Sequence, residues 1–299
     1  MRQSLIDLIN KTIIYQYSLD CPIRKIDKTN LTTTKDDCYL STNDNDLVEI
    51  IYNSLIEYAC NEFEIKPHNL QNLHYQALQN RIRYNEKHKQ VTKIKYGFYG
   101  EALLQVVLNI FYGSETLIAK GYFYNPTENS EAKGYDLYHL IENNDQVELW
   151  FGEVKFRESF SSAVKSAVEG LEKAISDNYF DQNLLAIFNR KNDMNKQNLV
   201  FEAIREAWES NPLISITSEA KKHNIKLVYP IFIIYKNTKV RYDDKIKDAI
   251  QHINSKYSKL THSMGIQFEI FFVFLPLNEV KSIKEEVLKW IELKKPLMQ

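Results

Sequence analysis

The sequence predicts an α/β (α+β) fold: a mixed central sheet flanked by helices, restriction-endonuclease-like in layout, with a helical N-terminal module. Three observations lead there. Residues 226–235 and 266–275 are nearly continuous apolar runs rich in Ile, Val and aromatic side chains, as expected of strands buried on both faces. Stretches with apolar residues at three- and four-residue spacing alternate with the strand-like segments after residue 95. The 299 residues are 44% apolar and 26% charged, enough to bury a sizeable core.

Taken in order, residues 5–15 carry Leu5, Leu8, Ile9 and Ile13 at helical spacing. Residues 17–46 are polar and turn-rich. Residues 47–63 read as an amphipathic helix, with Asp44 or Asp46 as its N-cap. Residues 68–84 read as another, running into a basic stretch of Arg81, Arg83, Lys87, Lys89, Lys93 and Lys95 with only Glu86 opposing it. That stretch is either a solvated helix end and loop or a phosphate-facing strip. Residues 1–90 are thus assigned to a helical module for partner docking or regulation, and 91–299 to an α/β domain. In the latter, 100–111 is a strongly apolar helix with Glu101 at its start. Residues 116–124, 135–141 and 147–156 read as strands, the first two ending near Asn125-Pro126 and Asn143-Asn144. Helices are expected over 159–175, 183–190, 198–208, 244–257 and 280–293.

Composition excludes several function classes. Lys plus Arg number 38 against 39 Asp plus Glu, so a nucleic-acid site must be a local patch rather than a uniformly basic coat. Cys21, Cys38 and Cys60 form no CxxC, which disfavours a disulfide framework or structural zinc and fits a reducing compartment. The first residues lack a signal-peptide core, and no apolar stretch approaches the roughly 18 residues that span a bilayer. A cytoplasmic protein with no membrane association is expected. No phosphate-binding glycine loop and no zinc-type histidine spacing occur. His139 reads as a packed histidine, and His74, His88, His223, His252 and His262 as surface residues.

The chemistry concentrates in one constellation. Glu101 starts a helix, Asp136 falls in an expected strand, and Glu153-Val154-Lys155 falls in the next. Alternation along a strand puts Glu153 and Lys155 on one face and Val154 on the other. Asp136 on a neighbouring strand would bring a second carboxylate beside Glu153. Two such acids repel each other unless a cation lies between them, and oxygen ligands with open water positions suit Mg²⁺ or Mn²⁺. Asp136 and Glu153 are therefore candidate metal ligands, with Glu101 completing the shell directly or through water. Lys155 would orient an attacking water in phosphodiester hydrolysis. Glu-x-Lys occurs six times, but only at Glu153 does it fall in an expected strand. The rival reading is a buried ion pair without catalysis. Tyr96, Tyr99, Tyr122, Tyr124 and Tyr135 surround the site, either as base-stacking rings or as ordinary packing.

The order Glu101, Asp136, Glu153-Val154-Lys155 resembles the PD-(D/E)xK nucleases over about residues 95–175, although Gly134-Tyr135 stands where a proline often precedes the Asp. The wider pattern YGFYGEALLQVVL, KGYDLYHLI and VELWFGEVKFRESFSSAVKSAV is similar to HamA, the effector of the Hachiman anti-phage system. This resemblance implies a Mg²⁺-dependent DNA nuclease restrained by a superfamily 2 helicase, HamB, in a heterodimer. It also implies a further polar residue on the helix after the lysine strand, for which Ser159, Ser162 and Lys165 are candidates. Arg157 and Lys165 could meet phosphates. Two other readings stand beside it: a non-catalytic adaptor that clamps DNA and docks a helicase, and a nuclease acting on RNA.

Overall fold

A computed structural model describes residues 1–18, 37–143, 146–195, 198–237, 255 and 263–298. In chain order the first half holds α1 (Gln3–Thr12), β1 (Ile13–Ser18), β2 (Asp37–Ser41), α2 (Asp44–Ala59), α3 (Leu70–Asn80), α4 (Gln90–Lys93), α5 (Phe98–Tyr112), β3 (Glu115–Thr116), β4 (Tyr124–Asn125), β5 (Ser130–Glu131) and β6 (His139–Asn143). The second half holds β7 (Gln146–Trp150), β8 (Glu153–Arg157), α6 (Phe160–Ala174), α7 (Asp177–Phe188), α8 (Leu199–Ser210), α9 (Ile216–Lys222), β9 (Lys226–Lys236), β10 (Gln267–Leu277) and α10 (Val280–Glu292).

The two apolar runs are the centre of the sheet. β9 and β10 pair in parallel along their full length, Gln267 opposite Lys226 and Leu277 opposite Lys236. On the other side of β9, β7 and then β8 pair in parallel with it. Trp150 lies opposite Val228 and Glu153 opposite Ile231, so the register is unbroken across residues 151–152. The strand expected over 147–156 is therefore one path with a local lapse. The lapse has a cause: Pro230, across from it, has no N–H to donate. Gly152 fits there because a Cβ would lie 2.8 Å from both the Pro230 ring and its carbonyl oxygen. β6 is antiparallel to β7, and β3 to β6. At the opposite edge β2 runs parallel to β10, and β1 antiparallel to β2.

Alternation along these strands sends side chains into two apolar layers. Trp150, Val154, Phe156, Phe232, Phe271 and Val273 join residues of α1, α2, α3, α5 and α10. Leu149, Phe151, Tyr229, Ile231, Phe272 and Phe274 join those of α6, α7, α8 and α9. α2 is buried nearly all round, which its many apolar residues require. It packs against α1, α3, α5 and α10, so residues 1–90 share a core with the rest.

Several expectations are corrected. The first helix ends at Thr12, the end of the stretch expected to be helical begins β1, and the turn-rich stretch supplies β2. The N-cap of α2 is Asn43, whose side chain accepts from the Asn45 N–H, not Asp44 or Asp46. The strand expected over 116–124 shrinks to β3, a 3-10 turn and β4, which pairs only with β5. Asp136 lies just ahead of β6 rather than within a strand. The helix expected over 244–257, with His252, His262 and Cys21, lies outside the described residues.

Candidate active site

β8 positions Glu153 and Lys155 as alternation requires. Val154, between them, packs with Trp150 and Phe156 in the opposite layer. Asp136 is fastened to the start of this strand from both ends of its own residue. Its N–H donates to the Gly152 carbonyl at 3.0 Å, and its Oδ2 accepts the Val154 N–H at 2.8 Å. Glu153 is held on two sides. Its Oε1 accepts from the Lys155 ammonium, and its Oε2 accepts from the Tyr229 hydroxyl at 2.7 Å. Tyr229 reaches it because it precedes Ile231, the register partner of Glu153, by two residues and so shares its face.

Asp136, Glu153 and Tyr229 open into a cavity of about 160 Å³ whose other walls include Gly170 and Lys173 of α6 and Tyr179 of α7. Burial, and then the charge of Glu153, push the Asp136 carboxyl up to about 6, against the pull of Lys155, Lys120 and the Val154 N–H. Glu101 stands behind Asp136, in the buried first turn of α5. The Tyr58 hydroxyl of α2 donates to it at 2.6 Å. Burial, then Asp136 and Glu131, push its carboxyl well above the usual range, opposed by Lys120 and the Tyr58 bond. Lys120 is itself buried and donates to the Tyr135 carbonyl. Burial favours its neutral form, but Tyr138, Glu101, Asp136 and Glu131 outweigh that and raise its pKa.

Asp136, Glu153 and Lys155 are thus brought together, whereas Glu101 adjoins Asp136 alone. Among the described residues no group of three or more His, Cys, Asp or Glu side chains converges as a metal site. Lys120 escaped sequence reasoning; the available signal was a lone cation inside the apolar run 117–123.

The remaining candidates sort clearly. His139 is buried and bonded to Ser114 and Thr116, a packed histidine as expected. His74, expected at the surface, is fully buried against Tyr52. Ser159 caps α6, Ser162 donates to the Ser159 carbonyl, and Lys165 pairs with Glu169, so none of the three lines the cavity. Arg157 is exposed and bonds Ser166 of α6. In the basic stretch, Arg81 is tied to Glu64 and Lys93 to Glu292, while Arg83, Lys87, Lys89 and Lys95 are exposed. Lys284 of α10 is buried and donates to the Phe156 carbonyl at 2.8 Å. Tyr135 packs against Phe151 and Tyr229, and Tyr99 against Phe98, as parts of the core.

Comparison with known families decides the affiliation. The family model described as HamA matches residues 9–291. The chain belongs to the HamA family. It is therefore a component of the Hachiman anti-phage defence system. The match runs from within α1 into α10 and includes Asp136, Glu153 and Lys155 of this HamA-family chain. No curated protein and no solved structure matches it. No described helix is long and apolar enough to cross a membrane.

Proposed function

We propose that this HamA-family chain is a Mg²⁺-dependent deoxyribonuclease, the effector of its defence system, held in check by a partner helicase. One observation carries the reading: Asp136 and Glu153 open into a single cavity, with the Lys155 ammonium on Glu153. The donor set fits the ion. Mg²⁺ uses one or two carboxylates and keeps several waters, so two acids facing a hydrated cavity suffice. Burial first, and then the charge of Glu153, raise the Asp136 carboxyl, and a cation held between the two acids would offset both costs. Asp136 and Glu153 would hold the ion, and Glu101 would act on it through Asp136 or an intervening water.

When bound, Mg²⁺ supplies charge stabilisation for the phosphoryl oxygens and makes an attacking water more acidic. The chain's own groups do the rest. The backbone of residues 152–154 fixes the Asp136 carboxylate, and the Tyr229 hydroxyl fixes Glu153. Lys155 orients the attacking water and neutralises charge that develops on the phosphate. The helicase partner and the preference for DNA are what the family resemblance implies, and the cavity is consistent with either nucleic acid.

The test is cleavage of supercoiled plasmid by the purified protein, alone and with its helicase, with and without Mg²⁺. Activity should vanish in Asp136→Ala, Glu153→Ala and Lys155→Ala. A calorimetric titration should give Mg²⁺ or Mn²⁺ binding that is lost in Asp136→Ala. Full cleavage by any of these variants, or no metal binding by the wild type, sinks the proposal, the latter in favour of a DNA-clamping adaptor. An RNA substrate run alongside checks the nucleic-acid class.

A further inference from the structure

We propose that Lys173, on the last turn of α6, forms with Tyr179 a phosphate subsite at the mouth of the cavity, taking a DNA backbone phosphate beside the scissile one. The inference rests on the nuclease reading above and names, on the helix after β8, a residue other than the three candidates that the resemblance suggested.

The argument begins with charge. A cavity bearing two carboxylates repels a phosphodiester, so an approaching strand needs cations there. Lys155 is engaged with Glu153, and Lys120 is buried on the Tyr135 carbonyl. Lys173 lines the same cavity as Asp136 and Glu153, is exposed, and forms no ion pair among the described residues. Its ammonium lies 4.6 Å from the centre of the Tyr179 ring. An aromatic face attracts a cation without neutralising it. The charge therefore rests on the wall formed by α6 and α7, in no ion pair with either acid among the described residues and open to an anion.

Position supports this. Gly170, one turn earlier on α6, faces Glu153: a Cβ there would lie 3.5 Å from Oε2. That is an ordinary contact distance, so this turn of α6 lies directly over the acid and carries Lys173 into the lining of the same cavity. Tyr179 is anchored in turn, packing edge-on against Tyr135 at 5.0 Å, the residue before Asp136. Lys165, the lysine expected to serve from this helix, is spent on Glu169.

A lysine that merely complements the C-terminal end of α6 would stabilise the helix without touching DNA. Anisotropy with fluorescein-labelled single-stranded and duplex DNA, full-length protein and EDTA in place of metal separates the two roles. Lys173→Met should weaken binding about 10-fold, and its plot of log K against log salt should be shallower by about 0.7 to 0.9, one phosphate contact's worth. Lys173→Arg should restore most of the affinity. Calorimetric Mg²⁺ affinity and the urea midpoint should stay near wild type in both variants. Unchanged affinity and slope in Lys173→Met, failure of Arg to rescue, or no DNA binding by the wild type overturns the subsite. Because binding is read without metal, these outcomes are distinct from failure of the nuclease reading, which shows as absence of cleavage with Mg²⁺.

Discussion

Asp136→Asn should stabilise the metal-free protein at neutral pH while abolishing its response to Mg²⁺. The carboxyl ordinarily titrates near 3.8 and is pushed up to about 6 here. At roughly 1.4 kcal/mol per pH unit, keeping it ionised in the fold costs about 3 kcal/mol once the pH exceeds 6. The sign follows from proton binding. Between pH 4 and 6 the folded state retains a proton that the unfolded chain has released, so wild-type stability falls as pH rises through that window. Asn keeps an oxygen to accept the Val154 N–H and carries no charge. The attraction to Lys155 and Lys120 is already contained in that net value, and imperfect replacement of the acid by the amide leaves a gain of about 1–3 kcal/mol. Urea denaturation in EDTA at pH 4, 6 and 8 is the assay. The advantage of the variant should be near zero at pH 4 and largest at pH 8. Adding Mg²⁺ should then stabilise the wild type, by about 2.7 kcal/mol at a hundred times its Kd, and leave the variant unmoved. A variant no more stable than wild type at pH 8 in EDTA, or a difference flat with pH, would refute the reasoning.

Three further outcomes are expected. Gly152→Ala should cost about 1–3 kcal/mol in urea denaturation, because its Cβ meets the Pro230 ring and carbonyl, and cleavage should fall with it since the Gly152 carbonyl holds Asp136. Lys284→Met should gain about 2 kcal/mol at pH 7: burial lowers the Lys284 pKa to about 8, the charged form is penalised below that, and wild type regains ground as pH rises from 8 towards 10.5. His74→Phe should gain on wild type as pH falls from 6.5 to 4, because burial holds His74 neutral down to about 4 while the unfolded chain protonates earlier; equal acid denaturation of the two proteins would contradict this.

Much of the architecture was legible in residue patterns. The apolar runs of β9 and β10 and the alternation through 147–156 are direct consequences of burial, and they locate Glu153 and Lys155 correctly. What escaped the sequence depends on distant partners. β2 pairs with the edge of β10 and β1 with β2, partners far off in sequence, and β1 begins within a stretch that also has helical spacing. β3 is short because Ser114 and Thr116 serve His139 and the chain then turns at 120–123. Lys284 on an amphipathic helix looked solvated, yet the Phe156 carbonyl and two rings receive it. Glu101 was placed on the right helix, but only the fold shows the Tyr58 hydroxyl bonded to it. Lys173 had no distinguishing neighbour in sequence. Its place beside the acids depends on the packing of α6 over Glu153 and on a ring from the next helix.

The long-range pairing of the sheet also bears on synthesis. Glu153 sits opposite Ile231, and Cys38 opposite Phe274, so the strands that support the acids are made long after the acids themselves. A chain still on the ribosome carries Asp136 and Glu153 before β9 and β10 have emerged, and parallel pairings this remote close slowly. A half-made polypeptide thus carries the acids without their alignment, and whatever those groups do must wait for the C-terminal strands.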